Sequence, residues 1–152
     1  MEIKKTDSMG IRGHFEAKLF DKDGNLKDYR SVPNVMTNVG RDCFMAQGFN
    51  TSAGSAQFDY VAIGSGVNAA AASDTALGSE AVRQEGAYTH TDGQHAFQLT
   101  ETFAAAAGTG SITESGILNA SSAGQLFARQ VFAVINKGAS DSLQVTWTGS
   151  IT

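Results

Sequence analysis

Apolar and polar positions alternate from Ile11 to Leu19, with Ile11, Gly13, Phe15, Ala17 and Leu19 on one side and Arg12, His14, Glu16 and Lys18 on the other. A period of two predicts a half-buried strand. The same period returns at the far end of the chain, where Leu143, Val145, Trp147, Gly149 and Ile151 alternate with Gln144, Thr146, Thr148, Ser150 and Thr152. After the first strand, Asp21-Lys22-Asp23-Gly24-Asn25 supplies residues tolerant of positive φ, and Leu26 to Val32 returns as the second arm of a hairpin. Pro33 stands where an edge strand can lose a donor.

Between these ends the pattern is less regular. Asn38 is the predicted cap of a short helix with Val39, Cys43, Ala46 and Phe49 on one side, and Gly40 and Gly48 limit its length. Residues 50–57 read as a loop and Phe58 to Ile63 as a buried strand. Ala69 to Ala72 predicts the start of a second helix, or Ser73 or Asp74 the cap of a single turn, before Gly78 interrupts. Ala81 to His90 and His95 to Phe103 flank Asp92-Gly93, which predicts a type I′ hairpin. Ile112 to Leu118 is a short strand, and Leu126 to Ile135 is apolar on both faces, as a central strand is. Asn136-Lys137-Gly138 then turns the chain. The elements predict an all-β, single-domain β-sandwich over residues 11–152, jelly-roll-like, of about eight strands with one short helix. A polar N-terminal arm, residues 1–10, precedes it.

The stretch Val61-Ala62-Ile63-Gly64-Ser65-Gly66-Val67-Asn68-Ala69 has the outline of a dinucleotide fingerprint, an apolar strand entering G-x-G-x-x-A, with Glu85 near the position of a ribose-binding acid. That chemistry needs a helix opening at the second glycine and a parallel strand after it. The Ala-rich continuation has no 3.6-residue stripe and leads into an antiparallel hairpin, so a glycine turn that lets a strand leave its sheet is the expectation. Asp21 to Asn25 faintly resembles a calcium loop, but Gly24 is fourth rather than sixth and the twelfth residue is Val32 rather than Glu. His90 and His95 flank the predicted hairpin turn symmetrically, close enough to share a metal, yet no third ligand is evident. Ser115 has no G-x-S-x-G elbow around it. Glu101 and Glu114 form a carboxylate pair only on paper, since such acids in β-proteins are usually solvated or paired with Arg. Phe97, Phe103, Phe127, Phe132, Tyr60 and Trp147 sit at strand period and are expected in the core, or on a sugar-binding platform if several share an exposed face. No catalytic, cofactor or metal residue is therefore assigned, and the expectation is a protein that is not an enzyme.

Composition narrows the partners. Net charge is −4 and the pI is near 5.2, which leaves no electrostatic footprint for a phosphate backbone. No direct nucleic-acid contact and no membrane contact are expected, and no segment approaches ~20 apolar residues. Seven of the eleven Lys and Arg lie in residues 1–30, leaving four basic and nine acidic residues in the other 122. Charged residues make up 17% of the chain, against about 25% in ordinary domains, which suits close packing against other protein. The single Cys43 excludes an internal disulfide, reads as a small buried apolar residue, and fits synthesis in a reducing cytoplasm. The opening Met-Glu-Ile-Lys-Lys-Thr-Asp-Ser-Met has no apolar run behind its lysines, so it is not read as a secretory signal.

Several segments resemble a family of tailed-bacteriophage virion proteins. They are Asp23 to Asp28, Val61 to Gly66, Ala72 to Glu80, Ser111 to Ala120, Phe127-Ala128-Arg129, Ile135 to Leu143, and Val145 to Thr148. The resemblance spans roughly residues 11–151, and Tyr88 to His95 departs from it. It implies a virion structural component made in the host bacterial cytoplasm. The expected form is a capsid decoration, or cement, protein on the outer shell, homotrimeric and bound to the major capsid protein, with the charged arm reaching a neighbour. The alternatives are a tail, neck or fibre component that contacts the host, or a capsid-mounted carbohydrate-binding module.

Overall fold

A computed structural model describes residues 10–49 and 56–152. The predicted arm, apart from Gly10, and most of the predicted 50–57 loop lie outside the described residues. The elements are β1 (Ile11–Phe20), β2 (Leu26–Pro33), β3 (Val35–Met36), α1 (Asn38–Phe49), β4 (Tyr60–Gly64), β5 (Glu80–Glu85), β6 (Ala87–His90), β7 (Ala96–Phe103), β8 (Gly110–Leu118), β9 (Leu126–Lys137) and β10 (Ser142–Ile151). They form two five-stranded antiparallel sheets, sheet A in the order β2-β1-β10-β7-β6 and sheet B in the order β3-β9-β8-β4-β5. The all-β sandwich is as predicted, and the described residues hold ten strands where about eight were expected.

The two cleanly alternating segments are neighbours. β1 pairs with β10 over their whole length, from Ile11 opposite Ile151 to Phe20 opposite Ser142, so their apolar sides form one continuous inner face. Phe15 and Trp147 meet there with ring centroids 5.0 Å apart, and Phe132 from sheet B stacks on Phe15 at 4.8 Å. Leu19, Leu99, Phe103, Ile112, Ile135 and Leu143 complete this fully buried layer. Burying side chains of this size stabilises by about 1.5–3 kcal/mol each, which is why strict alternation fixes both register and sheet face.

Three local predictions are corrected. The helix is capped by Thr37, not Asn38: the Gly40 N–H donates to Thr37 Oγ1 at 2.9 Å, and the same hydroxyl donates to the Leu126 carbonyl. Thr37 thus fixes the start of α1 to β9, and Thr37→Val is expected to cost about 1–2 kcal/mol, read as a lowered urea midpoint. The predicted strand 81–90 is two strands. β5 belongs to sheet B and β6 to sheet A, and between them Gly86 gives its N–H to the Asp59 carbonyl at 2.7 Å. Residues 69–77 form turns instead of a helix.

β9 is flanked by only two residues of β3, opposite Arg129 and Ala128. Farther along, Arg30 of β2 donates Nε to the Ala133 carbonyl at 2.8 Å and Nη2 to that of Val134 at 2.6 Å. A side chain from sheet A thereby binds two successive carbonyls where the register of β9 with β8 shifts.

Candidate functional site

Residues 65–79, between β4 and β5, cross the outer face of sheet B as a strap. Its anchor is Glu114, which β8 projects outward while the next residue, Ser115, points into the core. The Glu114 carboxylate is fully buried. Its Oε1 accepts the N–H of Gly66 at 2.8 Å and of Ser79 at 2.7 Å, and its Oε2 accepts the N–H of Gly78 at 2.9 Å and Nε of Arg129 at 2.9 Å. Arg129 then bonds Asp74 through Nη1 at 2.8 Å and the Asn68 carbonyl through Nη2 at 3.1 Å. One ion pair therefore holds both ends and the middle of the strap.

Around this clamp, Thr113 donates to the Gly66 carbonyl at 2.8 Å and the Asn38 N–H to that of Ala72 at 2.7 Å. Leu77 closes the apolar side against Ala62, Leu118 and Leu126. Burial alone would push the Glu114 carboxyl up; the N–H groups of Ser79 and Gly78, the Arg129 guanidinium and the Gly66 N–H outweigh it, and the net shift is downward. Burial likewise works against the Arg129 charge, but the hydrogen bonds it donates to Asp74 and Glu114 raise its pKa. Both groups stay ionised.

The glycine stretch is thus a turn out of the sheet, as expected, with an added feature. The Gly66 N–H converges with those of Gly78 and Ser79 on an anion in the manner of a phosphate loop, but the anion is the chain's own Glu114. A Cβ on Gly66 would lie 2.6 Å from the carboxyl carbon, so only glycine admits the carboxylate. Glu85 stands opposite Tyr60, at the other end of β4 from Gly64.

The other candidate residues are placed apart from one another. Glu101 lies half-buried on the inner side of β7 opposite Val145, where desolvation raises its pKa, so it and Glu114 occupy faces of different sheets. Ser115 donates to the Ala62 carbonyl at 2.8 Å and accepts the Trp147 indole N–H at 3.2 Å. Asp21 closes its own turn, with Oδ1 accepting the N–H groups of Asp23 and Asn25, each at 2.9 Å.

His90 and His95 do not face each other. The register sets His90 opposite Phe97, leaving six residues between them, in which the Thr91 carbonyl accepts the Gln94 N–H. Gly93 has φ of +83° while Asp92 keeps a negative φ, which is a type II turn rather than type I′. The His90 ring is spent on the Ala96 carbonyl at 2.7 Å. Among the described residues no three His, Cys, Asp or Glu side chains cluster as metal ligands. Cys43 is buried, its thiol 2.7 Å from Gln125 Oε1 and its pKa raised by desolvation and by Asp42.

A second buried charge was not singled out from the sequence. Lys137 is nearly inaccessible and gives its ammonium to the carbonyls of Ala104 at 2.9 Å and Asp141 at 2.8 Å, and burial lowers its pKa. The Asp141 carboxylate takes Lys27 and the Gly138 N–H, each at 2.8 Å. The cluster ties the β9–β10 turn to β2 and to the loop after β7.

Concave apolar surface lies at the end of the sandwich under α1. Phe44, Phe58, Tyr88, Phe97 and Phe127 line a groove of about 460 Å³, with Asp59 at its rim. The Tyr88 and Phe97 rings stack with centroids 6.0 Å apart, and Tyr88 is 63% exposed. Phe103, Phe127, Phe132 and Trp147 are core residues, as expected, whereas Phe97 and Tyr60 are partly covered. The chain matches no protein-family model, no curated protein and no solved structure.

Proposed function

We propose that this chain is a non-enzymatic virion protein of a tailed bacteriophage, a capsid decoration protein that binds the outer shell and stabilises contacts between major capsid subunits. The observation that carries the reading joins sequence to structure. Val61 to Gly66, Ala72 to Glu80, Ser111 to Ala120 and Phe127 to Arg129, which resemble the phage virion family, are the segments that build the strap and its Glu114–Arg129 clamp. The segment outside the resemblance, Tyr88 to His95, is the exposed edge and loop beside the aromatic groove. A sandwich whose loops are held by buried ion pairs, with a separate exposed tip, is suited to binding work.

The buried ionisable groups support the same reading, because Glu114, Arg129, Lys137 and Asp141 spend their hydrogen bonds on holding loops. A ligand that binds only the expanded shell stabilises it by mass action, RT ln(1 + [L]/Kd). The test is copy number. In purified virions the protein is expected at an abundance comparable to the major capsid protein on a stained gel, and to bind expanded shells lacking it. A few to tens of copies per particle would instead favour a tail, neck or fibre part. The aromatic groove favours the carbohydrate-binding alternative, which glycan-array binding lost in Tyr88→Ala would support.

A further inference from the structure

The sheets end in four edge strands, β2 and β6 in sheet A and β3 and β5 in sheet B. An unpaired edge is a template for another strand, and proteins blunt it with charge, proline, short length or cover. β2 carries Lys27, Asp28, Arg30 and Pro33. β3 has two residues. β5 carries Glu80, Arg83 and Glu85, with Arg83 held by Glu80 and by the carbonyls of Ala120 and Ala123. β6, four residues long, reads Ala-Tyr-Thr-His; every residue is exposed, and it carries no proline and no Lys, Arg, Asp or Glu.

The pleat determines which backbone groups are free. The Ile151 N–H donates to the His95 carbonyl at 2.8 Å, so His95, and by alternation Phe97 and Leu99, direct their backbone groups toward β10. Gln98 and Thr100 face β6, where their partners are Thr89 and Ala87. The N–H and C=O groups of Tyr88 and His90 therefore point away from the sheet. Among the described residues no backbone group bonds to them. Gly86, next in the same direction, is already bonded to Asp59, so the open edge begins at Tyr88.

We propose that β6 is a self-association site, at which β6 of a second copy pairs antiparallel about a two-fold axis through Thr89. The free residues flank Thr89 symmetrically. The two-fold sets Tyr88 opposite His90 of the partner subunit, and His90 opposite Tyr88 of the partner subunit, and each pair exchanges both N–H···O bonds. Thr89 meets its own copy in the close, non-hydrogen-bonded pair, with no like charges to oppose it. The contact is isologous and closed, and the exposed Tyr88 ring is brought against the neighbouring copy. The soluble unit is then a dimer instead of the expected trimer. This inference concerns the isolated chain and does not depend on the virion reading.

Sedimentation of the full chain tests it. The wild type is expected to show a concentration-dependent dimer, and Thr89→Lys, which sets two ammonium groups opposite each other on an exposed face, to be monomeric at the same concentrations with an unchanged melting curve. Mild oxidation is expected to cross-link Thr89→Cys into dimers but not Ala87→Cys, because the two-fold offsets the two 87 positions by four residues. A monomeric or trimeric wild type, a dimer that Thr89→Lys leaves intact, or equal cross-linking at 87 and 89 would overturn the proposal. The cysteine comparison decides the matter even if the lysine variant misfolds.

Discussion

Replacing Glu114 by alanine is expected to destabilise the fold by about 3–5 kcal/mol, the usual cost of removing one partner from a buried ion pair. The loss arises from what is orphaned. Arg129 keeps Asp74 but loses its most buried partner, and the N–H groups of Gly66, Gly78 and Ser79 are left without an acceptor. For a domain of this size each kcal/mol lowers Tm by about 2–4 °C, giving a drop of roughly 6–20 °C. Glu114→Gln keeps one acceptor oxygen and is expected to lose about half as much.

Acid titration separates this charge effect from packing. The folded-state pKa of Glu114 is depressed, so its ionic contribution is complete above the unfolded value of about 4.3 and is lost as pH falls through the lower folded value. The stability gap between wild type and Glu114→Gln should be constant from neutral pH down to about 5 and should narrow below about 4. Urea unfolding of both proteins at these pH values measures it. A gap that stays constant to pH 3 would mean that Glu114 acts through its shape rather than its charge.

The strands were legible where one physical requirement dominated. In β1 and β10 a buried inner face and a polar outer face impose period two, and the two patterns pair residue for residue. The division of residues 80–90 was not legible, because nothing local marks Gly86 as the crossing between sheets. Its partner is Asp59, 27 residues earlier. Thr37 was passed over as the cap because Asn38 is the equally good local candidate, and the choice is made by the Leu126 carbonyl that the threonine hydroxyl also reaches. The Asp92-Gly93 pair marked a turn, but its type depended on a register that sets His90 against Phe97.

The clamp shows the same limit. A glycine-rich exit from a strand, an isolated Glu in one strand and an isolated Arg in another are each ordinary in sequence. Only the pairing of β4 with β8, and of β8 with β9, sets Gly64 beside Glu114 and Gly116 beside Arg129, and so brings the three together.

If the carboxylate and Gly66 act as one unit, their substitutions should fail to add. Gly66→Ala sets a methyl group against the Glu114 carboxyl, 2.6 Å from its carbon, and is expected to cost about 1–3 kcal/mol as the strap or the carboxylate shifts. Gly66 itself has no left-handed φ that would penalise alanine. In a Glu114→Ala background the obstructing group is gone. There the same substitution is expected to be neutral or to stabilise by a few tenths of a kcal/mol to about 1 kcal/mol, because alanine restricts the unfolded chain more than glycine does. The double-mutant cycle should therefore show a coupling of about 1–4 kcal/mol, measured by urea unfolding of the four proteins at neutral pH. Equal costs of Gly66→Ala in both backgrounds would mean that the glycine serves the path of the strap and not the seat of the carboxylate. The predicted change of sign requires the seat.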